Sequence, residues 1–229
     1  FFPRLGLDFF SSDTILPRSL RWIYELNIDA DRIFNDRLAN RRSLRKRVPP
    51  ANCAIGSLFN NSVISSEGLC GTSYSPRVNS YKNARYLHNF FGPSTILMVL
   101  RQQDEYSKSL FKQLKLDKRI DLDLDFCDFF GPSGLVKPED LLWSPVVRDF
   151  MHVFGSANIL LVSLDYLAQP GAMHGIASSL KLQTADFPQL LAKERVSCVK
   201  TSSTSSPIFL DDWHEVRQLV DNSKMTLLD

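Results

Sequence analysis

Apolar and polar residues fall into short blocks along the chain, and the blocks predict strands and helices in alternation. Thr95-Ile96-Leu97-Met98-Val99-Leu100 is a continuous apolar run, too short for a typical helix, and reads as a buried strand. Asn158-Ile159-Leu160-Leu161-Val162-Ser163-Leu164 reads as a second one, and Val63-Ile64-Ser65-Ser66 as a shorter third, reaching Glu67-Gly68 at its end. Helical spacing appears in residues 18–47, where Leu20, Trp22, Ile23 and Leu26 form a face that Ile33, Phe34 and Leu38 continue, and Pro49-Pro50 stops it. It recurs from Asn83 to Phe91, closed by Gly92-Pro93, and from about 103 to 115. Val147, Phe150, Met151 and Phe154 mark a further helix over Val146–Phe154, ended by Gly155. A helix from Pro170 to Leu180 and a last one from Asp211 to Asn222 complete the series. Residues 119–138, broken by Gly131-Pro132 and Gly134, read as irregular, and the Ser- and Thr-rich 196–208 as a mobile loop.

Strands this short and apolar, alternating with helices, predict an α/β fold whose parallel sheet is covered on both faces. Ligands in such folds bind beyond the carboxyl ends of the strands. Two charged residues stand at predicted strand ends, Glu67 and Arg101.

Composition narrows the function classes. The 229 residues suffice for one domain with a real core, expected to span 1–229. A formal net charge of +2 is too small to imply a nucleic-acid partner. No stretch approaches the roughly 18 apolar residues of a membrane span. Cys53, Cys70, Cys127 and Cys198 are widely spaced and read as free core thiols, with one disulfide left open. The basic run Arg37, Arg41, Arg42, Arg45, Lys46 and Arg47 reads as a solvated helix end rather than an anion-attracting surface.

The alternating acids Asp121, Asp123, Asp125 and Asp128 invite a calcium reading, which the spacing defeats. An EF-hand loop needs Gly at its sixth position and Glu at its twelfth, and counting from Asp121 those positions hold Phe126 and Pro132. No metal is expected.

Arg101 is the most informative single residue. It follows six apolar residues and precedes a helix whose first-turn amides point back toward the strand end. A guanidinium beside such amides makes an anion site that suits a phosphate. Ser109, eight residues on, could reach the same anion with its hydroxyl. The plainer reading pairs Arg101 with Asp104 or Glu105 and leaves Ser109 on a solvated face.

The stretch "ILMVLRQQDEYSKSLFKQ" resembles the 3′-phosphate-binding segment of the PAPS-dependent sulfotransferases, in the form found in bacterial-type and carbohydrate sulfotransferases. In that family a strand ends in Arg and a Ser follows eight positions later; the variant "RxxDEx…SLYxQ" is matched here with Phe111 in place of Tyr. "VISSEGL" looks like the strand end facing the donor sulfate, "FGSANILLVSLDYLAQP" like the late strand that usually closes on "YExLxxDP", and "VDNSKMTLLD" like the terminal segment. The resemblance covers most of residues 60–229 in outline, and only the Arg101–Ser109 segment is specific.

It implies a P-loop NTPase-like three-layer fold and transfer of a sulfuryl group from PAPS (3′-phosphoadenosine 5′-phosphosulfate) to a hydroxyl or amine of a small-molecule or carbohydrate acceptor. Arg101 and Ser109 would hold the 3′-phosphate. Glu67 would be the base, ahead of His88, with Ser65 and Ser66 as weaker contributors. One departure is large: the family's "PKxGTTxLQ"-like 5′-phosphosulfate loop is absent, and "FFPRLGLDFF" looks like the chain just after it, where its helix ends. The expectation is therefore a fragment of the enzyme lacking its first strand and loop, with its activity in isolation left open. The low cysteine count favours the cytoplasm, and an upstream anchor would favour the Golgi lumen. Two alternatives stand beside the enzyme: a degenerate binding domain, and another P-loop-type phosphoryl-transfer protein, which would need a GxxxxGK[ST] loop that this sequence lacks.

Overall fold

The computed structural model describes residues 8–11, 62–65, 69–70, 79–181, 207–223 and 225–229, with the backbone alone at 8–11 and 62–65. The described chain is mixed α/β and contains two parallel sheets. β1 (Asp8–Ser11) pairs in parallel with β2 (Ser62–Ser65) in the register Phe9↔Val63 and Phe10↔Ile64. This corrects the reading of the opening residues as the tail of a helix. Phe9 and Phe10 are aromatic and suit a strand, and residues 12–61 are long enough for the crossover that a parallel pair requires.

The second sheet has the order β3-β4-β5, with β3 at Ile96–Leu100, β4 at Ile159–Ser163 and β5 at Thr226–Leu228. Met98 pairs with Leu161 and Leu161 with Leu227, so all three carboxyl ends lie on one rim. The helices are α1 (Ser80–Phe91), α2 (Gln103–Leu116), the short α3 (Phe126–Phe129), α4 (Trp143–Phe154), the short α5 (Leu164–Leu167), α6 (Ala172–Ser179) and α7 (Pro207–Asp221).

β4 is buried at all five positions, as a central parallel strand covered on both faces should be. Its Ile159 and Leu161 join Met98 and Leu100 of β3 in a core with Ala84 and Leu87 of α1, Val147, Phe150 and Phe154 of α4, and Val216 of α7. Its Leu160 and Val162 face the other way, onto Ile176 of α6. β3 differs. Leu97 and Val99 are 37% and 45% exposed, so its second face is only partly covered where the sequence predicted full cover on both sides. The apolar run does not reveal this, because Leu97 and Val99 are as apolar as the buried Met98 and Leu100.

A second apolar cluster gathers Leu110 and Leu114 of α2, Phe129, Val136, Leu141 and Phe209 of α7. Residues 119–138 are irregular, as the sequence predicts, apart from the four-residue α3. Asp121 accepts from the amide of Asp123 at 3.1 Å, and Asp125 accepts from the amide of Asp128 at 3.0 Å, capping α3. The acids there serve backbone turns. Gly155 ends α4 at φ 81°, a left-handed conformation that the sequence anticipated from glycine's position.

Candidate functional site

Arg101 lies immediately after β3, on the rim where β4 delivers Ser163, the register partner of Leu100. Ser163 is itself occupied, accepting at 3.1 Å from the amide of Tyr166 to cap α5. Gln102, the N-cap of α2, adds no side-chain cap, and Asp104 and Glu105 fill the first turn with acids. These two carboxylates complement the positive end of the helix macrodipole in the absence of any ligand.

The Arg101 guanidinium forms an ion pair with Glu105, with Nε 3.5 Å from Oε2 and the two side chains 35% and 23% exposed. At that exposure the pair contributes on the order of 0–1 kcal/mol. The pairing with Glu105 is the one that the plainer sequence reading named. It leaves a fault, however. Arg101 Nε is enclosed, and its 3.5 Å contact with Glu105 Oε2 does not reach hydrogen-bond geometry. A donor held this loosely is open to a better-aligned acceptor oxygen, such as one of a phosphate.

Ser109 is exposed on α2. Glu105 and Ser109, both within α2, stand four residues apart on one side of that helix, and Glu105 is the residue that pairs with Arg101, which precedes the helix. Ser107, by contrast, is buried and its hydroxyl bonds the carbonyl of Asp104 at 2.9 Å. Of the other named candidates, Glu67 and Ser66 lie outside the described residues, and Ser65 is the last residue of β2. His88 sits in the last turn of α1 with its ring 5.3 Å from that of Phe154, edge to face. This is a packing role against α4.

The residue that sequence reading missed is Asp212, on α7, 4% exposed. Its Oδ2 accepts from Gln103 Nε2 at 2.6 Å and from the Trp143 amide at 2.7 Å, and its Oδ1 accepts from the Ser144 amide at 3.0 Å. Leu142, the N-cap of α4, has no side-chain oxygen to offer, so a carboxylate from α7 caps the helix in its place. The same oxygen holds the side chain of the first residue of α2. Trp143 then reaches the rim: its indole Nε1 donates to the carbonyl of Arg101 at 2.7 Å, and its ring meets Tyr106 edge to face at 5.4 Å. Ser144 continues the network by donating to Glu215 at 2.7 Å, and Glu215 also pairs with Arg148. A cap supplied from a distant helix leaves no local signature in a sequence.

Among the described residues no group of three or more His, Cys, Asp or Glu could hold a metal ion, and no helix is long and apolar enough to cross a membrane. No protein-family model, curated protein or solved structure matches the chain.

Proposed function

We propose that the chain is a PAPS-dependent sulfotransferase domain, built on a P-loop NTPase-like scaffold, that grips the 3′-phosphate of the donor with Arg101 and Ser109. The observation that carries this reading is the Arg101 guanidinium at the carboxyl rim of a parallel sheet, its enclosed Nε held by no more than the long ion-pair contact with Glu105. A phosphate oxygen is an acceptor of the right charge and geometry for it. The parallel order of β3, β4 and β5 and the alternation of strands with helices agree with such a scaffold.

In this reading the chemistry is an in-line displacement at sulfur. The acceptor oxygen or nitrogen forms the new bond as the bridging S–O bond to the 5′-phosphate breaks. The acceptor proton goes to a base, for which Glu67 is the choice, two residues beyond the end of β2. Arg101 acts by fixing the nucleotide and offsetting its charge.

Catalysis also requires a loop to receive the 5′-phosphate, which these 229 residues do not contain. A domain that binds the nucleotide without transferring sulfate needs only the rim. Calorimetry separates a nucleotide site from none: adenosine 3′,5′-bisphosphate should bind at least about tenfold more tightly than adenosine 5′-phosphate, the difference being one charge-assisted phosphate contact. Equal affinities would refute the reading. Release of the bisphosphate from PAPS in the presence of acceptor alcohols would then separate enzyme from binding domain.

A further inference from the structure

We infer that Trp143 is a positioning residue for Arg101, locked in turn by Asp212, so that the anion-binding arginine is set by a unit spanning α2, α4 and α7. The inference rests on the proposed role of Arg101 at the nucleotide's 3′-phosphate. An arginine at a strand end has a backbone that is free to swing once the sheet's hydrogen bonds stop. Here the next peptide group is held. The Trp143 indole takes the Arg101 carbonyl at 2.7 Å, and two residues later the Gln103 side chain is tied to Asp212 at 2.6 Å. On the other side Leu100 is in register with Ser163 of β4. The Cα of Arg101 is therefore clamped from both directions. The indole is held through its own amide, which donates to Asp212 at 2.7 Å, and through the Tyr106 ring.

The two ends of this unit differ in consequence. Asp212 satisfies three donors at once, so its loss affects the fold. The Trp143 Nε1–H satisfies one carbonyl, and Trp143→Phe removes that donor while keeping an aromatic ring in an 8% exposed site. The substitution should leave the fold in place and release the Arg101 peptide.

Two measurements test this on the 229-residue chain. In the ligand-free protein the Arg101 Nε–H, being enclosed, should exchange slowly with solvent, and Trp143→Phe should speed its exchange while leaving amides of β4 protected. In titrations, Trp143→Phe should weaken adenosine 3′,5′-bisphosphate by about fivefold, one hydrogen bond's worth, and leave adenosine 5′-phosphate unchanged. A merely structural role would weaken both nucleotides alike. Unchanged Nε–H exchange overturns the inference whatever the ligand does. Arg101→Ala is the reference: if it removes the preference for the bisphosphate and Trp143→Phe does not, the inference fails while the proposed function stands. If the wild type shows no such preference, the proposed function fails, and the exchange measurement alone decides whether Trp143 positions Arg101.

Discussion

Asp212 of α7 accepts from the backbone amide of Trp143 at 2.7 Å, closing the first turn of a helix that lies 69 residues earlier in the chain. The relationship joins the last long helix to the carboxyl rim of the sheet. It predicts the most damaging single substitution among the described residues outside the apolar core. Asp212→Ala would strand Gln103 Nε2 and the amides of Trp143 and Ser144 in a buried site, at a cost of about 3 kcal/mol or more. Asp212→Asn keeps one acceptor and should cost less. Urea denaturation of both variants checks the order, and equal stability of Asp212→Ala and wild type would mean that the cap contributes nothing.

The same relationship explains which elements could be read from sequence. β4 was legible because every residue of Ile159–Ser163 is buried, and a continuous apolar run is what full burial demands. α4 is legible from Val147, Phe150 and Phe154, but the spacing marks its start at Val146 and the structure at Trp143, because its cap is Asp212, far away along the chain. α7 was expected from Asp211 and begins at Pro207, where proline suits a helix's first turn. The Ser- and Thr-rich residues before it masked that signal. β5 has three residues, Thr226–Leu228, too few for any period to show. At the site, Arg101 was legible as a cation at a strand end. Its indole partner was not, because Trp143 carries an ordinary apolar signature and its donor acts through a contact 42 residues distant.

Glu105 competes with any anion for Arg101. The ion pair is partly exposed and weak, so its removal should help a phosphate more than it harms the fold. Glu105→Gln is expected to raise affinity for adenosine 3′,5′-bisphosphate by about two- to fivefold at low salt, with a smaller gain at high salt as charge is screened. Calorimetry at two salt concentrations reads this directly. A loss of affinity would mean that Glu105 orients the guanidinium instead of competing for it.

Gly134 and Gly131 give a paired test of backbone crowding. A Cβ at Gly134 would stand 2.8 Å from the Gly131 amide nitrogen and 2.9 Å from the Phe129 carbonyl oxygen, both backbone atoms that cannot step aside. A Cβ at Gly131 meets only the Cys127 carbonyl oxygen, at 3.5 Å. Gly134→Ala should cost about 1–3 kcal/mol, as other overpacking does, and Gly131→Ala should lie within about 1 kcal/mol of wild type. Thermal melts of the two variants would settle the contrast.

Cys70 and Cys127 should differ sharply in reactivity. Cys70 is half-buried against the main core, and burial pushes its thiol from an ordinary 9.0 up to about 11. Cys127 is exposed. Peptide mapping after brief alkylation at pH 8 should find Cys127 modified and Cys70 intact. The shift also sets a pH dependence. The unfolded chain gives up the Cys70 proton near pH 9 while the folded chain keeps it to about 11. The contribution to stability is therefore whole below pH 9 and lost as pH rises through 11. Cys70→Ser should flatten that loss, and an unaltered alkaline limb would remove the assignment.

The account depends most on one side chain at the sheet's rim. Equilibrium binding of adenosine 3′,5′-bisphosphate to wild type and Arg101→Ala is the most direct measurement of its role. Losing a charge-assisted contact to phosphate should weaken binding by about 10- to 100-fold, with adenosine 5′-phosphate unaffected and the melting temperature preserved. Equal affinity of the two proteins for the bisphosphate would contradict the account.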